Sequence, residues 1–158
     1  MKNILIALDY NPDAVKIAES GYLLSKAIGE EIIFLHVISD LTIYTDVGSI
    51  LITGFFAGKM NVRTKLAKQP IHAQELSQDF LNKLKFHLGD NKIQTIIKEG
   101  NSAEIILETA KEFNVDLIVM GQQSRNLYKN KGIGATTQRI LLDTTIPCFI
   151  VPVKKKSR

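Results

Sequence analysis

Residues 121 to 137 read GQQSRNLYKNKGIGATT. Glycines stand near both ends, Arg125, Lys129 and Lys131 lie between them, and Thr136 and Thr137 close the stretch. An apolar run, DLIVMG, leads into it, and a helix-periodic run, QRILLD, follows. A glycine-flanked, hydroxyl-bearing basic loop between a strand and a helix suits a phosphate group. Glycine lets a ligand approach the backbone, and the first N–H groups of a helix are unpaired donors at the positive end of its dipole. The chemistry on offer is anion binding. Gly134, Ala135 and Thr136 would supply backbone donors, and Arg125, Lys129 and Lys131 would neutralise charge or simply keep a surface loop solvated.

Other residue types offer less. Asp9 ends an apolar run, where a carboxylate either meets a ligand or closes the turn into the next helix. His36 and Val37 end a second apolar run and point to opposite faces of it, so His36 reads as packing. His72 and His87 lack metal-ligand spacing. Cys148 sits inside an apolar segment and reads as an inert buried thiol. Neither a Ser-His-Asp nor a Cys-His arrangement can be assembled, so no catalytic residue and no metal ligand are assigned.

The elements that must position these groups follow from periodicity. Residues 3 to 9, NILIALD, form a short apolar run, as in a parallel strand buried on both faces. NPD at 11 to 13 starts a helix, with Ala14, Ile17, Ala18, Gly21, Leu24 and Ile28 on its buried face and Gly29 at its end. EIIFLHV at 31 to 37 is the second strand, completing a βαβ unit. Residues 38 to 70 form an irregular excursion, too long for an ordinary connection, with a short helix around 61 to 68. A helix over 70 to 88 buries Ala73, Leu76, Phe80, Leu84 and Leu88. Residues 92 to 100 make a less apolar strand nearer a sheet edge. Ser102 opens a helix with Ala103, Ile106, Leu107, Ala110 and Phe113 inward. A very apolar strand at 115 to 121, a helix at 135 to 144 with Thr137, Ile140, Leu141 and Thr144 inward, and a strand at 147 to 153 complete the chain.

Strict alternation of apolar strands with helices predicts a single α/β domain over 1 to 153, its parallel sheet covered by helices on both faces. Strand orders 2-1-3-4-5 and 3-2-1-4-5 both fit. In either, a ligand binds beyond the carboxyl ends of the strands, at the switch point beside the first one, which gathers Asp9, Val37 and Gly121 around one crevice.

Bulk properties narrow the class. The chain has 158 residues, 45% of them hydrophobic and 23% charged, with one cysteine. A chain of this length buries roughly 70% of its unfolded surface and needs no staple. One cysteine excludes a disulfide scaffold and fits a reducing, cytoplasmic setting. Of the 20 basic residues, four lie in the tail at 154 to 158; the rest balance the 16 acids. No basic stripe marks a nucleic-acid surface, and no apolar run approaches the ~20 residues of a membrane span. The first strand is not followed by the glycine pattern of a dinucleotide site, and no P-loop occurs. A flavin-type turn and the acidic pair of a phosphoacceptor domain are also missing.

With those set aside, the chain resembles the universal stress protein family over about residues 2 to 153. The resemblance is carried by LIALD ending at Asp9, the HV pair at 36 and 37, EGNSAEIILETAKEFNVDLIVMG at 99 to 121, the glycines that follow, and IPCFIVPV. Nucleotide-binding members carry G-x2-G-x9-G-[ST] after the fourth strand. Gly121 and Gly134 fill the first and third positions at that spacing; Ser124 replaces the second glycine, and Ala135 replaces the hydroxyl residue, with Thr136 one place later. The resemblance implies strand order 3-2-1-4-5 in the adenine nucleotide alpha hydrolase-like arrangement. It also implies a site for ATP or a related adenine nucleotide, possible magnesium with it, at Asp9, Val37, Gly121, Ser124, Gly134, Ala135 and Thr136. In the family, Asp9's position contacts the adenine or ribose edge, and the backbone at Val37's position reads adenine. A lost hydroxyl at 135 removes one hydrogen bond, worth about 0.5 to 1.5 kcal/mol. Serine at 124 costs roughly 1 kcal/mol if the backbone there has positive φ, whereas its hydroxyl could donate to phosphate if it does not.

Two functions therefore stand side by side. One is a cytoplasmic stress-response protein using bound adenine nucleotide as a switch or scaffold, with at most slow hydrolysis. The other is a motif-degenerate member that binds no nucleotide and acts through an unknown protein partner. An enzyme proper would reveal itself by magnesium-dependent turnover lost in Asp9→Ala. The resemblance also implies a homodimer through the last strand, which would lie at a sheet edge and whose Pro147 and Pro152 limit pairing.

Overall fold

The computed structural model describes residues 3–39, 70–122 and 132–152. Nine elements alternate along the chain: β1 (Asn3–Ala7), α1 (Ala14–Ile28), β2 (Glu31–Ile38), α2 (Pro70–Leu88), β3 (Gln94–Glu99), α3 (Ser102–Glu112), β4 (Val115–Gly121), α4 (Ala135–Asp143) and β5 (Cys148–Val151). The sheet is parallel throughout, in the order β3-β2-β1-β4-β5. Of the two orders open to the periodicity, the chain takes the one the family resemblance implied. β1 lies at the centre, and Ile4, Leu5 and Ile6 are wholly buried, as an apolar strand covered on both faces must be.

Each sheet face carries one core. Ile4, Ile6 and Phe34 pack with Ile17 and Ala18 of α1 and with Leu81 and Leu84 of α2. Leu5, Ile33 and Leu35 pack on the other face with Ala103, Ile106 and Ala110 of α3 and Ile140 of α4. The alternation along β1 and β2 thus divides the side chains between two helical layers. α1 sits close to the sheet because Gly21 carries no side chain; a Cβ there would run into Ile6. Gly29 ends α1 in the left-handed conformation at φ 70°, with its N–H on the Ser25 carbonyl, a helix stop that favours glycine.

Some sequence expectations need correction. Ile28 and Leu141 are exposed, at 48% and 40%, so α1 buries Ser25 instead of its last isoleucine, and α4 presents a narrower inward face, Thr137 and Ile140. β1, β3 and β5 are shorter than expected, whereas β4 keeps its bounds and β2 runs on to Ile38; β1 stops at Ala7 because the chain turns away at Asp9. The helix expected around 61 to 68, most of the 38 to 70 excursion and the 154 to 158 tail lie outside the described residues. Among the described residues, no helix is long and apolar enough to cross a membrane.

Candidate functional site

The carboxyl edge of the sheet collects the groups that sequence spacing singled out. Ala7 pairs with Leu35, and Ile6 with Val119. Beyond these pairs the Leu8 N–H still donates to the Leu35 carbonyl at 2.9 Å, after which the chain turns at Asp9. Beyond these strand ends lies a cavity of about 140 Å³, several times the ~30 Å³ share of one water. Asp9, Val37, Gly121 and Thr136 all line it. Gly134 and Ala135 adjoin it as the cap and first residue of α4 without lining it. Ser124, Arg125, Lys129 and Lys131 lie outside the described residues.

Asp9 closes the turn into α1 and lines the cavity. Its Oδ1 accepts the Tyr10 N–H at 2.8 Å, and its carbonyl accepts the Asn11 N–H at 2.8 Å. The carboxylate therefore shapes its own turn while facing the cavity. Asn11 continues the turn: its Oδ1 accepts the Asp13 N–H at 2.6 Å, and its carbonyl accepts the Ala14 N–H at 3.0 Å. This side-chain turn, a habit of asparagine, launches α1 although Asp13 itself provides no side-chain cap.

β2 shows how its end addresses the cavity. Successive peptide groups of a strand turn alternately to its two neighbours. The Leu35 carbonyl accepts the Leu8 N–H at 2.9 Å on the β1 side, and the Ile38 carbonyl accepts the Gly100 N–H at 3.1 Å on the β3 side. Val37 therefore turns its N–H and C=O toward β1, where the chain has already bent away at Asp9. Its side chain packs into the core facing α3 and α4. His36 points to the other face, as its position predicts, and lies against Tyr10 and Phe80.

α4 closes the site. Gly134 caps it at φ −62° and ψ 153°, an extended conformation open to any residue. Glycine is thus not needed there for backbone freedom; what it omits is a side chain across the helix end. The Gly134 N–H donates to the Gln122 carbonyl at 2.9 Å, which corrects the expectation that it is one of the anion donors. The first helical rung runs from Gln138 N–H to the Gly134 carbonyl at 2.9 Å. Among the described residues, the preceding N–H groups of Ala135, Thr136 and Thr137 have no side-chain cap, which makes them the open donors of the helix end. Thr137 is buried and donates its hydroxyl to the Gly121 carbonyl at 3.0 Å, fastening the helix start to the end of β4. Thr136 leaves its side chain to the cavity.

Sequence reasoning missed three polar lining residues, Asn11, Ser39 and Ser102. Ser102 was within reach: it opens the helix after β3, and every such helix starts at the carboxyl edge of a parallel sheet. Asn11 was recognised as a turn residue, but only the bend after Asp9 turns it to the cavity. Ser39 carried no signal in its spacing.

The model of the Universal stress protein family matches residues 1–152. Universal stress protein MJ0577 of Methanocaldococcus jannaschii is 25% identical over 97% of this chain and 96% of its own length. Universal stress protein C of Escherichia coli O157:H7 is 21% identical over 96% and 95%. Among solved structures, that of the hypothetical protein MJ0577 superposes with a TM-score of 0.71, at 24% identity over 98% of both chains. A universal stress protein in complex with cAMP superposes at 0.61, with 15% identity over 96% of both chains.

Proposed function

Since the chain belongs to the universal stress protein family, we propose that it binds ATP or a related adenine nucleotide at the carboxyl edge of its sheet and acts as a cytoplasmic stress-response switch or scaffold. One observation carries this reading: a single cavity has the uncapped start of α4 on one wall and Asp9 and the end of β2 on another. These three features match the phosphate, sugar and base of a nucleotide. The Ala135, Thr136 and Thr137 N–H groups suit phosphate oxygens. The Asp9 carboxylate would repel phosphate but accepts hydrogen bonds from sugar hydroxyls. The Val37 peptide offers a donor and an acceptor side by side to the edge of a base. The cAMP complex of a relative shows that protein, of the same fold, with an adenine nucleotide.

Among the described residues, no group of three or more His, Cys, Asp or Glu could hold a metal ion. Magnesium would therefore enter on the phosphates. With no side chain assigned as a general base, hydrolysis would be slow at most. Titration calorimetry with ATP, ADP, AMP and adenosine tests the reading. We expect micromolar binding that strengthens with phosphate number. Absence of heat and of thermal shift up to millimolar nucleotide sinks it, and leaves the nucleotide-free, partner-binding alternative.

That alternative, and a homodimer, find support at the other side of the sheet. β5 is an edge strand beside β4, with Phe149 41% exposed on it and Leu142 79% exposed on α4. An apolar edge invites a further strand, and a second copy of β5 would supply one. Light scattering on the eluted protein should give twice the chain mass; the mass of one chain at micromolar concentration rejects the dimer.

A further inference from the structure

We propose that His36, which does not line the cavity, is a positioning residue for it: the imidazole takes the Leu8 carbonyl out of the β1–β2 ladder and so leaves the Val37 peptide open to a ligand. The inference rests on the nucleotide reading and assigns a residue that controls its base end.

The ladder shows what is unusual here. A regular continuation of parallel pairing would follow the Leu8 N–H to Leu35 carbonyl bond with one from the Val37 N–H to the Leu8 carbonyl. Instead, His36 Nδ1 lies 2.8 Å from the Leu8 carbonyl oxygen. Among the described residues, no backbone bond joins Val37 to Leu8. A carbonyl only accepts, so Nδ1 carries the proton. A side chain one residue earlier on the same strand thus does the work the Val37 N–H would have done. The two strands separate a rung early, with the carbonyl satisfied and the next peptide turned into the crevice.

The imidazole is held to this task from behind. His36 is 1% exposed. Its ring meets Tyr10 edge-on, with centroids 4.8 Å apart, and Phe80 at 5.9 Å. Tyr10 also packs on Phe80 at 4.6 Å, and its hydroxyl donates to Ser77 Oγ at 3.4 Å. Ser77 in turn donates to the Ala73 carbonyl within α2 at 2.7 Å. Tyr10 then reaches the cavity by its backbone, since its N–H holds Asp9 Oδ1. One aromatic cluster between α2 and the sheet therefore fixes the Val37 peptide, through His36, and the Asp9 carboxylate, through Tyr10. Core packing that needed only three apolar rings would not place a proton donor under Leu8.

The test uses His36→Phe, which keeps a ring and loses the donor, and His36→Asn, whose amide keeps a donor near the Nδ1 position. Adenosine, ATP and inorganic triphosphate are titrated into each. We expect His36→Phe to weaken adenosine and ATP by the same factor, about tenfold for the loss of a well-made hydrogen-bonding pair, and to leave inorganic triphosphate unchanged. His36→Asn should recover most of the affinity. Equal loss for triphosphate, or wild-type adenosine affinity in His36→Phe, overturns the proposal. Two readouts need no nucleotide. The Val37 amide should exchange hydrogen more slowly in His36→Phe, because it can rejoin the ladder; an unchanged rate overturns the proposal. In the unaltered protein, nitrogen NMR of the imidazole should find the proton on Nδ1; an Nε2–H tautomer overturns it without any variant having to fold. If no nucleotide binds, the functional reading fails, while these two readouts still decide what His36 does to Val37.

Discussion

Two helices start at the same cavity, and their first turns are built in opposite ways. α3 carries a side-chain cap. Asn101 Oδ1 accepts the Glu104 N–H at 3.2 Å, and Glu104 places an acid in the first turn. Glu104 also faces Arg139 of α4 at 3.7 Å. α4 starts at glycine, with no side-chain cap and no acid in its first turn. Both contribute to the cavity wall, α3 through Ser102 and Ile106 and α4 through Thr136 and Thr137. A helix start that has capped one of its donors and added a carboxylate gains stability and becomes less favourable to an anion. A start left bare keeps that use. Under the proposed function, the contrast favours α4 over α3 for the phosphate end of the site.

The contrast can be broken most forcefully at Thr136. Thr136→Glu sets a carboxylate at the open helix end and should weaken ATP at least tenfold, about 1.4 kcal/mol, by calorimetry; adenosine should change far less. Equal loss for the two ligands would separate phosphate from α4. A smaller effect is expected from Gly134→Asp, which gives α4 the cap that α3 already has. The backbone at 134 is extended, so aspartate fits without strain. The unfolding midpoint should rise by about 1 to 3 °C, from a dipole and cap gain of about 0.3 to 1 kcal/mol, while ATP weakens severalfold. Stability and affinity moving together would contradict the contrast. Asn101→Ala makes the converse change and is the mildest for binding. Loss of the α3 cap should cost about 0.5 to 2 kcal/mol of stability, read in a denaturant melt, with nucleotide affinity altered by less than about twofold.

Cys148 offers a check on the distant side of the sheet. Burial pushes its thiol above the ordinary cysteine range, so the unreactive thiol form dominates at neutral pH. Alkylation at pH 8 should be slow in the folded protein and fast in denaturant; a fast folded-state reaction would mean that the β5 edge opens more readily than its packing implies.

Much of this was legible in the residues themselves. The run ILIAL read as a strand buried on both faces, and the periodic apolar faces of α2 and α3 were visible as spacings. Gly29 announced the end of α1. The misplaced residues are those whose burial depends on a neighbour. Leu141 has the right spacing to face inward on α4, but that helix buries only a narrow strip, Thr137 and Ile140. Gly134 was rightly placed at a helix start, yet the loss of its N–H to Gln122 arises from a chain crossing that spacing does not encode.

The sequence by itself determined the layer architecture and the edge of the sheet at which a ligand would sit, because periodicity and chain direction are local properties that survive without contacts; the family came from the resemblance of its motifs. It left open the strand order, which the resemblance implied and the fold took. Only the tertiary structure decided which donors at that edge are open. Whether an N–H is free depends on the acceptor that reaches it across the fold: Gln122 for Gly134, a side-chain cap for α3 and none for α4, and His36 standing in for Val37 beneath Leu8.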